Sequence, residues 1–121
     1  GYLSRTATVQ DFSAVTGACL LVKTSVWDEV KGLDEAFAVA FNDVDFCLRV
    51  RDAGYRIAWT PYARLTHYES KSRGLDTLSE NARRYEREKA NFYAKYQQYI
   101  DNYDPYYNPH FNNLFENFGL K

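Results

Sequence analysis

Between Phe41 and Arg51 the chain reads FNDVDFCLRVR, with Gly54 close behind. Little besides a short amphipathic helix suits that stretch. Asn42 is a good N-cap, because its side-chain oxygen can accept one of the orphan amides of a first turn. Asp43 and Asp45 then fall at the positive end of the helix dipole. Asp45 precedes Arg49 by four residues, the spacing of an intrahelical ion pair. Phe46, Leu48 and Val50 supply apolar side chains, and Gly54 is the breaker. The spacing predicts a helix over Asp43–Asp52 with an acidic corner at its start.

The flanking segments are placed relative to that helix. Ala14 to Lys23 (AVTGACLLVK) is a short apolar run bounded by turn-compatible residues, which predicts a buried strand. Gly17 within it predicts a bulge or a close approach of some other group to the backbone. Thr24 or Ser25 caps a helix through Val30, which Gly32 ends. Leu33 to Ala40 reads as a turn carrying Phe37 inward. Downstream, Tyr55 to Trp59 alternates like a strand until Pro61, and Ala63 to Tyr68 reads as a second short strand. Glu69 to Asp76 is polar and contains glycine, hence a loop.

Thr77 and Glu80 form a capping box ahead of a long helix, Leu78 to Ile100. Its apolar positions Leu78, Ala82, Tyr85, Phe92, Tyr96 and Tyr99 or Ile100 recur at helical spacing. Arg83, Arg84, Glu86, Arg87, Glu88 and Lys89 read as its solvated face. The tail over 101–121, with Pro105 and Pro109, reads as irregular chain laying Tyr and Phe rings on the domain.

Composition removes several function classes. The 121 residues suffice for one modest domain with a core. A net charge of -1 argues against a nucleic-acid partner, and acids interrupt the basic stretch Arg83–Lys89. No apolar run approaches the roughly 20 residues of a membrane span. The chain opens without the basic-then-apolar pattern of a signal peptide. Met is 0 and the first residue is Gly1, which points to a piece of a larger protein. Cys19 and Cys47 lie in the predicted strand and helix and read as buried free thiols. Spacing alone leaves a disulfide open, and two cysteines without further ligands disfavour a metal site.

Several residues could carry chemistry. The acidic corner is either a well-capped helix start or a cleft carboxylate serving as a general base. His67 alone is either structural or one metal ligand whose partners lie elsewhere. Ser70 and Ser72, with Lys71 and Arg73, either solvate a loop or contact a phosphate-bearing ligand.

From Val15 to Gly74, about half the chain, an ordered set of motifs resembles the C-terminal half of a family 2 glycosyltransferase domain. The motifs are TGAC at Thr16, GLDE at Gly32, NDVDFCLR at Asn42, AGYR at Ala53, a segment through Pro61 to His67, and ESKSRG at Glu69. The tail DPYYNPHF resembles the end of such domains. The resemblance implies an α/β chain, a partial GT-A domain with few short strands, packed helices and a long C-terminal helix. Its parts would be a strand and helix core over 1–76, the long helix over 77–100 and the aromatic tail over 101–121. It implies inverting sugar transfer from a nucleotide-diphosphate donor to a glycan acceptor, of the bacterial O-antigen, rhamnan or capsule type.

On that resemblance Asp43 matches the catalytic base. Asn42 stands where the family usually carries an acid. Asn42, Asp45, Trp59, Ser70, Ser72 and Arg73 fall on the substrate side, with Asp45 and Arg49 also bracing the helix; Tyr62, like Trp59, could stack on a sugar. His67 matches a position completing a divalent metal site, magnesium or manganese, in the larger protein. No Asp-x-Asp precedes Asp43, so the nucleotide-binding half is expected outside this chain. The chain alone is then expected to be inactive and to bind no cation. An unpaired sheet edge would favour self-association. The implied setting is the cytoplasm, at the inner face of the membrane. The alternative from another class is a non-catalytic module that binds glycan or protein through the Tyr-rich tail.

Overall fold

The computed structural model describes residues 6–38, 40–68 and 79–111, apart from the side chains of Ser79 and Asn81. In chain order the elements are β1 (Gln10–Asp11), a 3-10 turn at Gly17–Cys19, α1 (Thr24–Glu29), a 3-10 turn at Glu35–Phe37, α2 (Asn42–Asp52), β2 (Ala58–Trp59) and α3 (Ser79–Asp101). The result is a mixed architecture, mostly helical with few strand residues.

The central element is α2. Its residues Asp45 to Leu48 and Val50 are buried, so the helix is enclosed on more than one side. On one flank Phe46, Cys47 and Val50 meet Val26 and Ile57, with Val15, Leu20, Val22 and Val30 packed around them. On the other flank Leu48 meets Phe37, Phe92 and Tyr96, with Phe41, Val44 and Tyr99 beside it. Helix α3 therefore lies against the second flank. Its backbone departs from helical geometry at Tyr96 (φ -118, ψ 24). No Pro or Gly stands there; the departure falls on the residue whose hydroxyl is bonded to buried Asp45.

Strands β1 and β2 pair antiparallel, Gln10 opposite Trp59 and Asp11 opposite Ala58, and the Phe12 amide continues the ladder to the Ile57 carbonyl at 3.0 Å. So short a pair is marginal by itself. It is held by burial of Ile57 and by the edge-to-face packing of Phe12 on Trp59, 6.2 Å between centroids. Among the described residues no helix is long and apolar enough to cross a membrane.

Several expectations are corrected. Ala14–Lys23 is not a strand. Its backbone groups are claimed by α2 rather than by a neighbouring strand: the Val15 carbonyl accepts the Cys47 thiol and the Gly17 amide donates to Asp43. Thr16 caps the resulting turn through the Ala18 amide. Two side chains expected inside are consequently exposed, Cys19 and Leu21, the latter at 98%. Ala63–Tyr68 has no regular structure, and only Ala58–Trp59 of the Tyr55–Trp59 strand pairs. Neither Thr24 nor Ser25 caps α1; Lys23 takes the N-cap position without a side-chain bond. Both cysteines are free thiols. The long helix matches its expected span within a residue at each end, while its capping Thr77 lies outside the described residues.

The end of α1 rests on a left-handed pair, Lys31 (φ 63) and Gly32 (φ 64), with the Gly32 amide on the Trp27 carbonyl at 2.9 Å. The Trp27 indole covers Gly32 and leans on Phe46 at 5.2 Å. A Cβ at Gly32 would meet two Trp27 ring carbons at 2.9 Å, whereas one at Gly54 (φ 89) would meet nothing within 4 Å. Gly54→Ala should therefore cost only the left-handed strain, about 1–2 kcal/mol. Gly32→Ala should cost visibly more, because the indole must also move. Urea midpoints of the two variants check this; equal losses would contradict the packing at Gly32.

Candidate functional site

The corner expected at the start of α2 is present, but it is built differently. Phe41, not Asn42, holds the N-cap position, in the left-handed region (φ 63, ψ 3) and without a side-chain cap. Asn42 is the first helical residue, and its Oδ1 accepts the Asp43 amide at 2.8 Å. Asp43 Oδ1 accepts the Val44 amide at 2.9 Å, and the Asp45 amide reaches the Phe41 carbonyl at 2.8 Å. Two orphan donors of the first turn, the Asp43 and Val44 amides, are thus met from within the corner itself.

Asp43 Oδ2 accepts the Gly17 amide at 2.9 Å. The close approach expected at Gly17 is therefore real: a Cβ there would sit 3.3 Å from the Asp43 Cβ. Each oxygen of the half-buried Asp43 carboxylate carries one backbone bond and keeps a second lone pair. The group is fixed in direction yet able to accept another proton or donor.

Asp45, two residues on, lies inside the protein. Its side chain is fully buried. Arg49 Nε and Nη2 reach its Oδ2 at 2.9 and 2.8 Å. Lys95 Nζ and the Tyr96 hydroxyl reach its Oδ1 at 2.7 and 2.6 Å. Lys95 also bridges to Asp34 at 2.9 Å, and Arg49 donates to the Val30 carbonyl. Burial, then the bond to Asp45, pushes the Tyr96 hydroxyl far above its ordinary pKa. Burial alone would lower Lys95, but its bonds to Asp45 and Asp34 raise it. Lys95 and the neighbouring Ala36 amide together hold Asp34 below its usual value. An Asp45 so enclosed cross-links α2 to α3 and to the Asp34 turn; its carboxylate is not open to a substrate.

The other expected site residues among those described lie on elements other than α2. Trp59 is half-buried in β2 with its ring against Phe12. Tyr62 is 82% exposed. His67 is exposed on irregular chain, and among the described residues no group of three or more His, Cys, Asp or Glu converges to hold a metal ion. These residues do not by themselves fit a divalent cation. Ser70, Ser72 and Arg73 lie outside the described residues. A separate open groove of about 560 Å³ lies at the far end of α2, lined by Arg51, Gln98, Tyr99, Asn102 and Tyr103 among others.

Two residues that matter here were not singled out in the sequence. Phe41 is bulky and left-handed, a conformation costing about 1–2 kcal/mol. Glu88, read as part of a solvated face, is buried and accepts the Ala40 amide at 2.7 Å. Its signal was position: Glu88 falls on the same stripe of α3 as Tyr85, Phe92 and Tyr96.

The glycosyltransferase-like family 2 model matches residues 2–91 of this chain. The chain belongs to that family. An uncharacterized Sinorhizobium fredii protein, y4gI, is 49% identical over 89 residues, 73% of this chain and 10% of that protein. The O-antigen biosynthesis protein RfbC of Myxococcus xanthus is 37% identical over 71 residues, 59% of this chain and 6% of that protein. An N-acetylglucosaminyl-diphospho-decaprenol L-rhamnosyltransferase of Mycobacterium tuberculosis (strain ATCC 25618 / H37Rv) is 35% identical over 65 residues, 54% of this chain and 21% of that protein. The chain thus spans a small part of the length of each of these relatives. No solved structure gives a significant match.

Two stability outcomes follow from the Asp45 cross-link. Asp45→Asn leaves Arg49 and Lys95 short of a partner, and should cost about 3–5 kcal/mol in urea unfolding; a loss below about 1 kcal/mol would mean the cluster contributes little. Asp34 binds its proton less tightly folded than unfolded. Its contribution is therefore complete above the unfolded value, about pH 4, and is lost as pH falls through the lower folded value. Stability of Asp34→Asn should accordingly fall less steeply than wild type below that pH.

Proposed function

We propose that this chain is the acceptor-side part of an inverting glycosyltransferase of GT-A fold, and that Asp43 is its general base. The observation that carries the reading is the Asp43 carboxylate, half-buried and held by the Gly17 and Val44 amides with a lone pair free on each oxygen. In the reaction, Asp43 takes the proton of an acceptor hydroxyl. The acceptor oxygen forms a bond to the anomeric carbon of the donor sugar. The bond from that carbon to the nucleoside diphosphate breaks, and the diphosphate leaves with the electron pair. Attack from the face opposite the leaving group inverts the centre.

The fixed direction of the carboxylate suits this role, since a base must lie within hydrogen-bond reach of the proton it removes. Asn42 spends its oxygen on the Asp43 amide. In this chain, then, the residue before the base orients it rather than adding a second charge. The names of the relatives, an O-antigen biosynthesis protein and a rhamnosyltransferase, support a glycan acceptor in polysaccharide assembly. The donor would be bound largely by the rest of a longer protein. Any magnesium or manganese ion would draw most of its ligands from there as well, with His67 contributing one. Ser70, Ser72 and Arg73 would close on the substrates, and Trp59 would border them. The apolar side chains of Leu21, Tyr62 and Leu65 are exposed, and the rest of that protein or self-association would cover them. A cytoplasmic, membrane-face setting accords with lipid-linked acceptors. On this reading the isolated chain is inactive.

One observation favours a second reading, a non-catalytic glycan-binding module. The groove at the far end of α2 presents Tyr99 and Tyr103 beside the Gln98 amide and Arg51, a mix of flat rings and donors suited to a sugar.

The test is sugar transfer by the longer protein, wild type against Asp43→Asn, with nucleotide binding measured in parallel. A general base accounts for about 10²–10⁴ in rate, so kcat should fall by that range while nucleotide affinity holds. Unchanged turnover would remove Asp43 from the chemistry and leave the module reading.

A further inference from the structure

The residue that turns the chain into α2 is in an unfavourable conformation, and α3 surrounds it. Phe41 has φ 63. Its ring is stacked on Phe92, 4.9 Å between centroids with planes at 21°, and leans on Tyr85 at 5.8 Å. The amide just before it, from Ala40, is held by the buried Glu88 carboxylate at 2.7 Å. Tyr85, Glu88 and Phe92 lie at three- and four-residue spacing, so they form one stripe of α3. One turn further, Lys95 and Tyr96 grip Asp45, and Lys95 also grips Asp34 at the start of the preceding turn. Contacts from α3 therefore bracket the segment from Asp34 to Asp45, and Asp43 lies inside the bracket with its carboxylate on the Gly17 and Val44 amides.

We infer that α3 is a positioning element for Asp43: Glu88 and Phe92 hold Phe41 left-handed, and that conformation sets the direction in which Asp43 meets the acceptor. This rests on Asp43 being the base. The geometry gives the reason. Strained residues persist only where their surroundings over-determine them. The Asp45 amide closes on the Phe41 carbonyl, so a rotation at Phe41 would swing the first turn of α2 and pull Asp43 away from the Gly17 amide. Glu88 and Phe92 are positioning residues; neither touches a reacting atom.

The experiment is a double-mutant cycle in the longer protein that contains this chain. Glu88→Gln keeps the shape but weakens the bond to the Ala40 amide. It should lower kcat by about tenfold to a hundredfold, the scale of a small misplacement of a reacting group, with the donor KM unchanged. Glycine adopts positive φ freely. In a Phe41→Gly background the added loss from Glu88→Gln should therefore shrink to about twofold. Phe41→Asn, which also tolerates that conformation, serves if the glycine variant does not fold. Hydrogen exchange over residues 40–46 should rise in Glu88→Gln. A full, additive loss in both backgrounds, or an unchanged kcat and exchange in Glu88→Gln, overturns the inference. Asp43→Asn run alongside separates the two readings. If it keeps full turnover the base assignment fails, and the coupling in exchange between positions 41 and 88 still reports on the clamp; if turnover collapses without that coupling, only the clamp fails.

Discussion

A carboxylate with no exposed surface is the constraint on which the rest of this structure depends. Removing Asp45 from water carries a desolvation cost of several kcal/mol, which two cations and a hydroxyl must offset. Three hydrogen bonds between 2.6 and 2.9 Å meet its two oxygens, and Arg49 Nη2 adds an ion-pair contact at 2.8 Å. Arg49 comes from the same helix, while Lys95 and Tyr96 come from α3. Satisfying Asp45 therefore requires α3 to dock in one register. Through Lys95 the same register captures Asp34, and through Arg49 it captures the end of α1 at the Val30 carbonyl. One buried charge ties α2 to α3 and to the stretch from Val30 to Asp34.

The two acidic residues of the corner have opposite tasks, and helical geometry alone enforces it. At 3.6 residues per turn, positions two apart point about 200° away from each other. With Asp45 turned to α3, Asp43 must face the other way, toward Gly17 and the TGAC turn. A reading of both carboxylates as lining one site conflicts with that periodicity. Asp43 becomes the accessible member because Asp45 is committed to the core.

What the sequence made legible is what depends on neighbours within a few residues. The span of α2 follows from apolar spacing and Gly54. The Asp45–Arg49 pair follows from a four-residue interval, and the length of α3 from its aromatic period. The close approach at Gly17 was legible because few residues besides glycine permit one, although its partner, Asp43, was not. The failures are non-local. The run Ala14–Lys23 has strand composition, but a strand needs a partner edge, and here α2 side chains take its backbone groups instead. Glu88 stands in a run of charges that reads as solvated, whereas the Ala40 amide that it accepts lies 48 residues away. No side-chain preference announces a left-handed Phe41, because the rings that stabilise it arrive from α3.

The family match ends at residue 91, within α3. The residues that grip Asp45 from outside its own helix, Lys95 and Tyr96, lie beyond that limit, as does Phe92. The acidic corner thus falls inside the matched region, while much of what holds it in place comes from after it. Packing gives the reason such an arrangement is stable. The first turn of α2 leaves Asp43 half-buried, held from the Gly17 side by a backbone amide rather than by a bulky side chain. Further support comes from the opposite face, and a long aromatic helix supplies it by burying Phe92 and Tyr96 against Leu48 and Phe37. Packing on both flanks of α2 thus accompanies a first turn whose Asp43 carboxylate is fixed in direction by two backbone amides and only half-buried.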